Sequence, residues 1–460
     1  MEIVKKPIKN IVLLWKQPKP SHTIYRPMRY VLRGQVDEGL LLYNVITSEM
    51  ILLDKDEGFL FERLPALYRS EMDELIAHHF IVKEGFEEEK SVKELRAILK
   101  KLNPSKNVNG FTILPTTECN ARCYYCFESN HKRCTLTDEM ASDVVEYINN
   151  KSKNQPIDIT WFGGEPLVGR KQISQICAGL KQKEVVFKST MVSNAYLFDQ
   201  SIIKEAKNDW NLRSVQITLD GTEKVYNETK AYINPKDNPF KRVLRNIELL
   251  LDNGLAVNVR LNVTDKNMAN LSELIDLLSD RFGDRKGFSC YSHAVYEGVG
   301  FSPLEYDDLK REEVDIATAE LDTKLMEKGL LGSYSRLPNL RFINCMSDND
   351  SARVIYPDGK IGKCENQSSS AYVGNIYDDI TEEEMNEKYK VVKYIKECEN
   401  CPLFPSCVNL NICPDTGKCT DVKVSWRVKR YNSLMKELYG AYKENKQIDV
   451  DEGIIAECDS

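Results

Sequence analysis

The chain has 460 residues, which exceeds one ordinary domain, so we expect two or three. Its 42% of hydrophobic and 29% of charged residues are usual for a folded protein with a sizeable core and exclude wholesale disorder. A net charge of −7 disfavours a protein that coats nucleic acid. The sequence lacks a long apolar run and a secretory pattern, so we expect a cytoplasmic protein with neither nucleic acid nor membrane as a partner.

The first unit, residues 1–105, combines strand patterns with helical ones. The predicted elements are strands over 28–33, 39–45 and 49–53, helices over 54–64 and 70–79, and a strand over 80–83. Together they make a small winged-helix-like unit. The charged stretch 84–101 predicts a helical linker with a solvated face.

The second unit, residues 106–300, alternates short apolar runs with helical patterns. The predicted strands are 111–115, 157–162, 185–193, 214–219, 256–263 and 287–294. The predicted helices are 138–150, 170–182, 199–208, 239–252 and 267–281. Six such units predict an α/β fold with parallel strands, as an open sheet or a partial barrel. In such folds the ligand site lies at the carboxyl ends of the strands.

The remaining chain divides into three parts. Residues 301–344 are expected to form a bridging segment with a helix over 304–328. Residues 423–460 are expected to form a helix over 425–445 followed by an acidic tail. Between them, residues 345–422 lose regular periodicity and are rich in cysteine. Such a stretch cannot build much apolar core, so we expect that something other than hydrophobic packing stabilises it.

The 14 cysteines are clustered, which in a reducing cytosol indicates metal binding more often than disulfides. Cys119, Cys123 and Cys126 follow the first central strand closely enough to converge on one centre. Structural zinc is the alternative, but it uses four ligands. Three thiolates suit a [4Fe–4S] cluster that leaves one iron open. Scattered buried thiols remain the simpler interpretation for Cys134, Cys177 and Cys290.

This C-x3-C-x2-C motif, with Tyr125 before its last cysteine, resembles the signature of radical S-adenosylmethionine (SAM) enzymes. The resemblance implies a partial (β/α)6 barrel in which SAM chelates the open iron. One electron from the cluster then cleaves SAM and releases a 5′-deoxyadenosyl radical, which abstracts a hydrogen atom from the substrate. A closed barrel would shield that radical from water.

Motifs at later strand ends resemble the cofactor-binding positions of the same family. After the second strand, two glycines allow close backbone approach and a glutamate can accept a hydrogen bond from the SAM ammonium. An arginine on the fifth strand could neutralise the SAM carboxylate, or it could simply face the surface. The implied cofactor-binding residues are Tyr125, Gly163, Gly164, Glu165, Pro166, Ser193, Asn194, Gln216, Thr218, Asp220 and Arg260.

The second cysteine cluster resembles the SPASM extension of radical SAM enzymes, which carries two auxiliary [4Fe–4S] clusters. The resemblance assigns an outer cluster to Cys398, Cys401, Cys407 and Cys419, and an inner one to Cys345, Cys364 and Cys413. The spacing after Cys407 is five residues where the family has three, which leaves the pairing open. The inner cluster lacks a fourth cysteine. A substrate ligand, Cys458 or Cys290, or a water could fill that place.

An open inner iron could bind a peptide cysteine, so we expect a maturase that installs thioether cross-links in a ribosomally made precursor. The N-terminal unit resembles elements that recognise a precursor's leader, although a plain accessory domain is as plausible. An electron donor such as flavodoxin or ferredoxin is expected. Alternatives are a sulfatase-maturase-type oxidation with Glu365 as the base, or carbon–carbon cross-linking or epimerisation. A different class is a non-catalytic iron–sulfur carrier or zinc-stapled binding module.

Overall fold

The structure is a computed structural model of the chain. It describes residues 1–14, 19–102, 108–130, 132–295, 308–331, 337–342, 346–365, 372–378, 398, 400–407 and 421–444. Among these residues, no helix combines the length and the hydrophobicity that crossing a membrane requires. The expected ligands Cys345, Cys413 and Cys419, and also Cys458, lie outside the described residues.

The N-terminal part contains two antiparallel sheets. Its elements are β1 (Glu2–Lys5), α1 (Lys9–Leu14), β2 (Ile24–Pro27), β3 (Val31–Val36), β4 (Gly39–Asn44), β5 (Met50–Leu53), α2 (Lys55–Glu62), β6 (Ala66–Leu67), α3 (Asp73–Ala77), β7 (Ile81–Lys83) and α4 (Glu88–Leu102). The sheet orders are β1-β5-β4-β3 and β6-β2-β7. A capping box starts α2, because Asp54 accepts hydrogen bonds from the first turn and Glu57 accepts one from the Asp54 backbone.

Most expected elements of this part are present, with two corrections. The first expected strand lies at Val31–Val36 instead of 28–33, and the helix expected over 70–79 is a 3₁₀ turn at Ser70–Met72 followed by the short α3. Sequence patterns missed β1, β2 and β6. These strands have two to four residues, too few for alternation to show.

The centre of the molecule is a parallel sheet flanked by helices. Its strands are β8 (Gly110–Thr116), β9 (Ile157–Gly163), β10 (Phe187–Ser193), β11 (Leu212–Leu219), β12 (Ala256–Val263) and β13 (Phe288–Ala294). The helices are α5 (Asp138–Ser152), α6 (Arg170–Gln182), α7 (Gln200–Asn208), α8 (Glu223–Lys230), α9 (Pro239–Asp252) and α10 (Met268–Phe282). The six strands pair in parallel in sequence order, which confirms the expected α/β fold. Of these six helices, α8 is the one that the sequence pattern did not predict.

Alternation along the strands separates a core face from a polar face. On β11, Val215, Ile217 and Leu219 are fully buried in the large hydrophobic core of the central sheet. Gln216 and Thr218 alternate with them and are half-buried on the opposite face. Parallel pairing then aligns polar residues of neighbouring strands, such as Thr218 with Arg260. The polar face and the strand ends are therefore where a ligand can meet functional side chains.

The cysteine-rich region is more regular than the sequence suggested. Three short strands, β14 (Ala352–Ile355), β15 (Lys360–Gly362) and β16 (Gly374–Asn375), extend the central sheet beyond β8, and β14 pairs with β8 in parallel. All four residues of β14 are buried. The loss of periodicity expected from residue 345 therefore does not exclude short strands. A strand as short as β14 is stabilised by pairing with β8 and leaves no periodic signal in the sequence.

Two further helices connect the parts of the molecule. Helix α11 (Asp308–Glu327) lies within the helix expected over 304–328, and α12 (Asp421–Lys443) starts four residues earlier than expected. Trp426 of α12 donates a hydrogen bond to Thr323 of α11. On β3, Gly34 lies against Asn432 and Met435 of α12. Helix α12 thus contacts both α11 and the N-terminal sheet.

Candidate active site

The first cysteine motif lies on the loop that leaves the carboxyl end of β8. Cys119, Cys123 and Cys126 are all half-buried. Burial raises the pKa of Cys119 to about 12, and nearby Glu165 and the other two thiols raise it further. Burial likewise raises the pKa of Cys126 to about 11, with contributions from Glu128 and Cys123. The three thiols are therefore close neighbours, and a positively charged metal centre would favour their thiolate forms.

Two glycines allow the end of β9 to touch this loop. Gly163 has a φ of +114°, and a Cβ added there would lie 2.3 Å from the Thr116 carbonyl oxygen. A Cβ added to Gly164 would lie 2.4 Å from the carbonyl oxygen of Glu118. The backbone N–H of Glu165 donates to that same Glu118 oxygen at 2.9 Å. Any side chain at position 164 would push away the residue directly before Cys119.

Glu165 is fully buried and holds strand ends together. Its carboxylate accepts hydrogen bonds from the Leu167 N–H, the Ser193 hydroxyl and the Asn194 N–H. Burial raises the pKa of Glu165, and these hydrogen bonds oppose the rise because they favour the charged form. A carboxylate has about four acceptor positions. The three donors found among the described residues leave room for one further donor, such as the ammonium expected from the resemblance.

The end of β10 also supports the cysteine loop. The side-chain amide of Asn194 donates to the side-chain oxygen of Asn120 at 2.7 Å. The N–H of Ile233 donates to the Asn120 carbonyl at 2.8 Å. These two hydrogen bonds fix both the side chain and the backbone of Asn120, which directly follows Cys119. The strand ends carrying Gly164, Glu165 and Asn194 thus position the first cysteine.

A buried ion pair lies below the second half of the loop. The Lys230 ammonium lies 2.9 Å from the Asp220 carboxylate, with side-chain exposures of 3% and 0%. Lys230 also donates to the hydroxyls of Thr218 and Tyr125. Tyr125 donates to Asp220 at 2.7 Å, and the Asn262 amide donates to both of these groups. Tyr125, Thr218 and Asp220 therefore belong to one network with two residues that the sequence analysis did not select.

The signals for those two residues differ. Asn262 follows Arg260 by two positions on β12, so alternation along the strand could have found it. Lys230 had no local signal, because it is one of 63 Lys and Arg residues and ends a helix that was not expected.

The other expected strand residues lie further along the polar face. Gln216 accepts a hydrogen bond from the Tyr291 hydroxyl at 2.8 Å. Arg260 is half-buried. It acts electrostatically on His293, whose pKa is lowered well below its usual value by burial and then by the charges of Arg260 and Lys423. Arg260 on this face and Lys423 of α12 therefore both disfavour the charged form of His293.

The second cysteine region is described only in part. Cys364, Cys398, Cys401 and Cys407 are all half-buried. Burial raises the pKa of Glu128 to about 8, and the charge of Glu365 adds to this rise. Glu365, the candidate base, therefore lies near the residue two positions after Cys126.

The remaining described cysteines fit structural roles. Cys177 and Cys290 are fully buried in the core of the central sheet, and Cys134 is half-buried. Among the residues that the structure describes, no group of three Cys, His, Asp or Glu side chains is arranged to hold a single metal ion. A cubane differs from a single ion in that each thiolate binds its own iron, so its ligands stand further apart.

Taken together, a parallel α/β sheet presents a supported three-cysteine loop at its carboxyl edge. Residues 113–278 match the family model of the Radical SAM superfamily. This central part of the chain is therefore a radical SAM domain.

Known proteins resemble the chain at low identity. The Fe-coproporphyrin III synthase of Methanosarcina barkeri is 27% identical over 46% of this chain, and the match spans about half, 51%, of that relative. The radical SAM cyclopropyl synthase TigE of Paramaledivibacter caminithermalis is 21% identical over 79% of this chain and 78% of its own length. Native anSMEcpe with bound AdoMet matches the fold with a TM-score of 0.57 at 17% identity, covering 73% of this chain and 100% of that one.

Proposed function

We propose that the protein is a radical SAM peptide maturase that installs thioether cross-links in a ribosomally made precursor. The observation that carries the proposal is the loop of Cys119, Cys123 and Cys126, clamped by buried residues at the ends of parallel strands. Its residues fit a [4Fe–4S] cluster, since the three thiols are close enough to act on one another electrostatically and the buried Glu165 carboxylate lies beside them. Bound there, the cluster would supply the electron that cleaves SAM to a 5′-deoxyadenosyl radical.

Residues of this chain would then orient SAM. Glu165 lies close enough to Cys119 to act on its thiol electrostatically, so its free acceptor position could bind the SAM ammonium beside the cluster. Arg260, on the polar face of β12, could pair with the SAM carboxylate. The backbone of Gly164 presents no side chain, which would let the cofactor approach the loop closely. We further propose that the sheet curves into a partial (β/α)6 barrel that excludes water from the radical.

A peptide substrate is supported by the N-terminal sheets. Strand β1 is an outer strand of the four-stranded sheet, and Glu2 and Ile3 on it are exposed. Such an edge can accept an extended leader segment as an additional strand. Among the structural relatives, one anSMEcpe structure contains AdoMet together with the Cp18Cys peptide. We therefore propose residues 1–105 as a winged-helix-like recognition unit.

The cysteines after residue 345 support the choice of thioether formation. We propose that residues 345–422 form a SPASM domain with two auxiliary clusters. Cys398, Cys401 and Cys407 would bind the outer cluster with Cys419, and Cys345, Cys364 and Cys413 would bind the inner one. Because this second set has only three cysteines, an iron of the inner cluster would be free to bind a substrate thiolate and aim it at the carbon radical.

A second candidate function rests on Glu365. Its position near Glu128 brings a carboxylate to the first cysteine loop, where it could act as the base in a sulfatase-maturase-type oxidation of a Cys or Ser side chain. The product of that reaction is an aldehyde, so the two functions differ in a measurable way.

The test is activity of the anaerobically reconstituted full-length protein, with flavodoxin or ferredoxin as the reductant. We expect release of 5′-deoxyadenosine, followed by modification of a Cys-containing precursor peptide co-expressed from a neighbouring gene. A thioether removes two hydrogen atoms for each bond and protects the cysteine from iodoacetamide. A carbon–carbon bond has the same mass loss but leaves the thiol reactive. An aldehyde reacts with hydrazine probes, and epimerisation leaves the mass unchanged.

A further inference from the structure

Lys230 and Asp220 form an ion pair that the proposed chemistry does not require. Both side chains are almost completely removed from water, with exposures of 3% and 0%. Charges at such depth are expensive to bury, and breaking the pair by removing one partner is usually strongly destabilising. A buried pair at this position, directly below the cysteine loop, therefore needs a reason.

The contacts of Lys230 connect the loop to the end of β11. Its ammonium donates to Thr218 at 2.6 Å, near the end of β11, and to the Tyr125 hydroxyl at 3.2 Å. Its backbone carbonyl accepts a hydrogen bond from the Arg122 N–H at 2.9 Å. Arg122 directly precedes Cys123, and Tyr125 directly precedes Cys126. One residue thus fixes the backbone before the second cysteine and the side chain before the third.

Asn262 completes the arrangement from β12. Its amide donates to the Tyr125 hydroxyl at 2.9 Å and to Asp220 at 3.1 Å. The Tyr125 hydroxyl itself donates a hydrogen bond to the Asp220 carboxylate at 2.7 Å, so this hydroxyl has donors and an acceptor in fixed places. A ring held by three partners has little freedom to rotate. The direction of the following cysteine is fixed with it.

The pair also places two charges beside the middle cysteine. Lys230 and Asp220 both act on the Cys123 thiol, with opposite signs. A positive charge near a redox centre favours its reduced, more negative state, and a negative charge favours the oxidised state. The two side chains are therefore able to set the potential at which the centre accepts an electron.

We propose that Lys230 is a positioning residue for the three-cysteine loop and that, with Asp220, it tunes the reduction potential of the cluster held there. This inference rests on the proposed cluster at Cys119, Cys123 and Cys126. Lys230 itself contacts neither SAM nor substrate in this account; it acts through Tyr125, Arg122 and the charge it places near Cys123.

The test is a redox titration of full-length, reconstituted protein followed by electron paramagnetic resonance. The component whose signal changes when SAM is added is the relevant one, which separates it from any auxiliary cluster. We expect Lys230→Met to shift its midpoint to a more negative potential and to broaden the SAM-dependent signal. Asp220→Asn should shift the midpoint in the opposite direction, and Lys230→Arg should restore values close to those of the unmodified protein.

Lys224, an exposed residue of the same helix, is the matched control, and Lys224→Met should leave both readouts unchanged. If Lys230→Met does not fold, the double variant Lys230→Met, Asp220→Asn removes both buried charges and takes its place. The double variant should keep the midpoint potential, because it removes one positive and one negative charge. It should still broaden the SAM-dependent signal, because the hydrogen bonds from Lys230 to Tyr125 and Thr218 are lost. An unchanged midpoint and signal in the folded variants would overturn the inference. An unmodified protein without any SAM-dependent signal would instead overturn the proposed cluster.

Discussion

The two cysteine regions of this protein are supported in different ways. The loop at 119–126 is held by polar contacts at the ends of parallel strands, through glycine backbones, a buried carboxylate and a buried ion pair. The segment at 398–407 is held by packing against the N-terminal unit, in whose core Leu403 and Phe404 are buried. The first region thus depends on the rigidity of the sheet, and the second depends on a separate unit.

The support of the second segment centres on Arg96 of α4. Its guanidinium donates to the carbonyls of Phe404, Pro405 and Cys407 at 2.8, 2.9 and 3.2 Å. The ring of Phe404 stacks on Tyr30, with centroids 6.1 Å apart. Helix α4 is therefore more than the solvated linker that its charge pattern suggested. Changes in the two regions should therefore have separable effects.

The largest effect is expected from the first loop. Cys123→Ala removes one of three thiolates, so we expect release of 5′-deoxyadenosine to fall to background in an anaerobic assay. Cys134→Ser is the matched control, since this half-buried cysteine lies outside the motif, and it should retain activity. Release of deoxyadenosine by a verified Cys123→Ala protein would refute the role assigned to this loop.

A single added methyl group should lower SAM cleavage almost as strongly at Gly164, where the backbone after β9 approaches the cysteine loop. Gly164→Ala would place a Cβ 2.4 Å from the Glu118 carbonyl oxygen, so the loop must move. We expect at least a tenfold loss of SAM cleavage and a destabilisation of about 1 to 3 kcal/mol, the usual range for overpacking. In α12, a Cβ added to Gly440 meets nothing within 4 Å. Gly440→Ala should therefore stabilise the protein slightly. Equal behaviour of the two variants would contradict the close approach.

The third prediction addresses the second region alone. Arg96→Met removes hydrogen bonds to three carbonyl oxygens, and we expect a loss of about 2 to 4 kcal/mol in the free energy of unfolding of the N-terminal unit. Hydrogen exchange should accelerate over 398–407, while exchange over 115–126 stays unchanged. Lys90→Met, at an exposed position of the same helix, is the control. Faster exchange in both cysteine regions would mean that they are not independently supported.

The smallest effect is expected where β13, α11 and α12 meet. Burial raises the pKa of Asp322 on α11 to about 6, although Ser292 and two arginines of α12 oppose the rise. The folded protein therefore binds the Asp322 proton more tightly than the unfolded chain does. The protonated carboxyl contributes fully to stability below about pH 4, and this contribution is lost as the pH rises through 6.

Asp322→Asn removes this titration and keeps an oxygen for the hydrogen bonds from Ser292. We expect it to stabilise the protein by about 1 to 2 kcal/mol at pH 7.5 and to have little effect at pH 4, measured by chemical denaturation. SAM cleavage should be unaffected. A stability difference that grows toward low pH would show that Asp322 is charged and well paired in the folded protein.

Much of the central domain could be predicted from the sequence, because its strands and helices have seven or more residues and strong periodicity. Glu165, Asn194 and Asp220 were selected because they lie at strand ends in motifs that resemble those of radical SAM enzymes, and Tyr125 because it precedes the last cysteine of the first motif. Lys230 could not be selected, since its importance arises only where α8 brings it under a loop about a hundred residues away. Arg96 was missed because its charge suggested solvent, whereas three distant carbonyl groups make its burial favourable.

The central claim is that the thiols at 119, 123 and 126 hold an iron–sulfur cluster with a coordination position open to SAM. The most direct measurement is electron paramagnetic resonance of the reduced, reconstituted protein before and after addition of SAM. We expect a cubane signal that changes shape with SAM and is missing in Cys123→Ala. A reconstituted protein that binds only zinc, or a cluster signal indifferent to both SAM and this substitution, would contradict it.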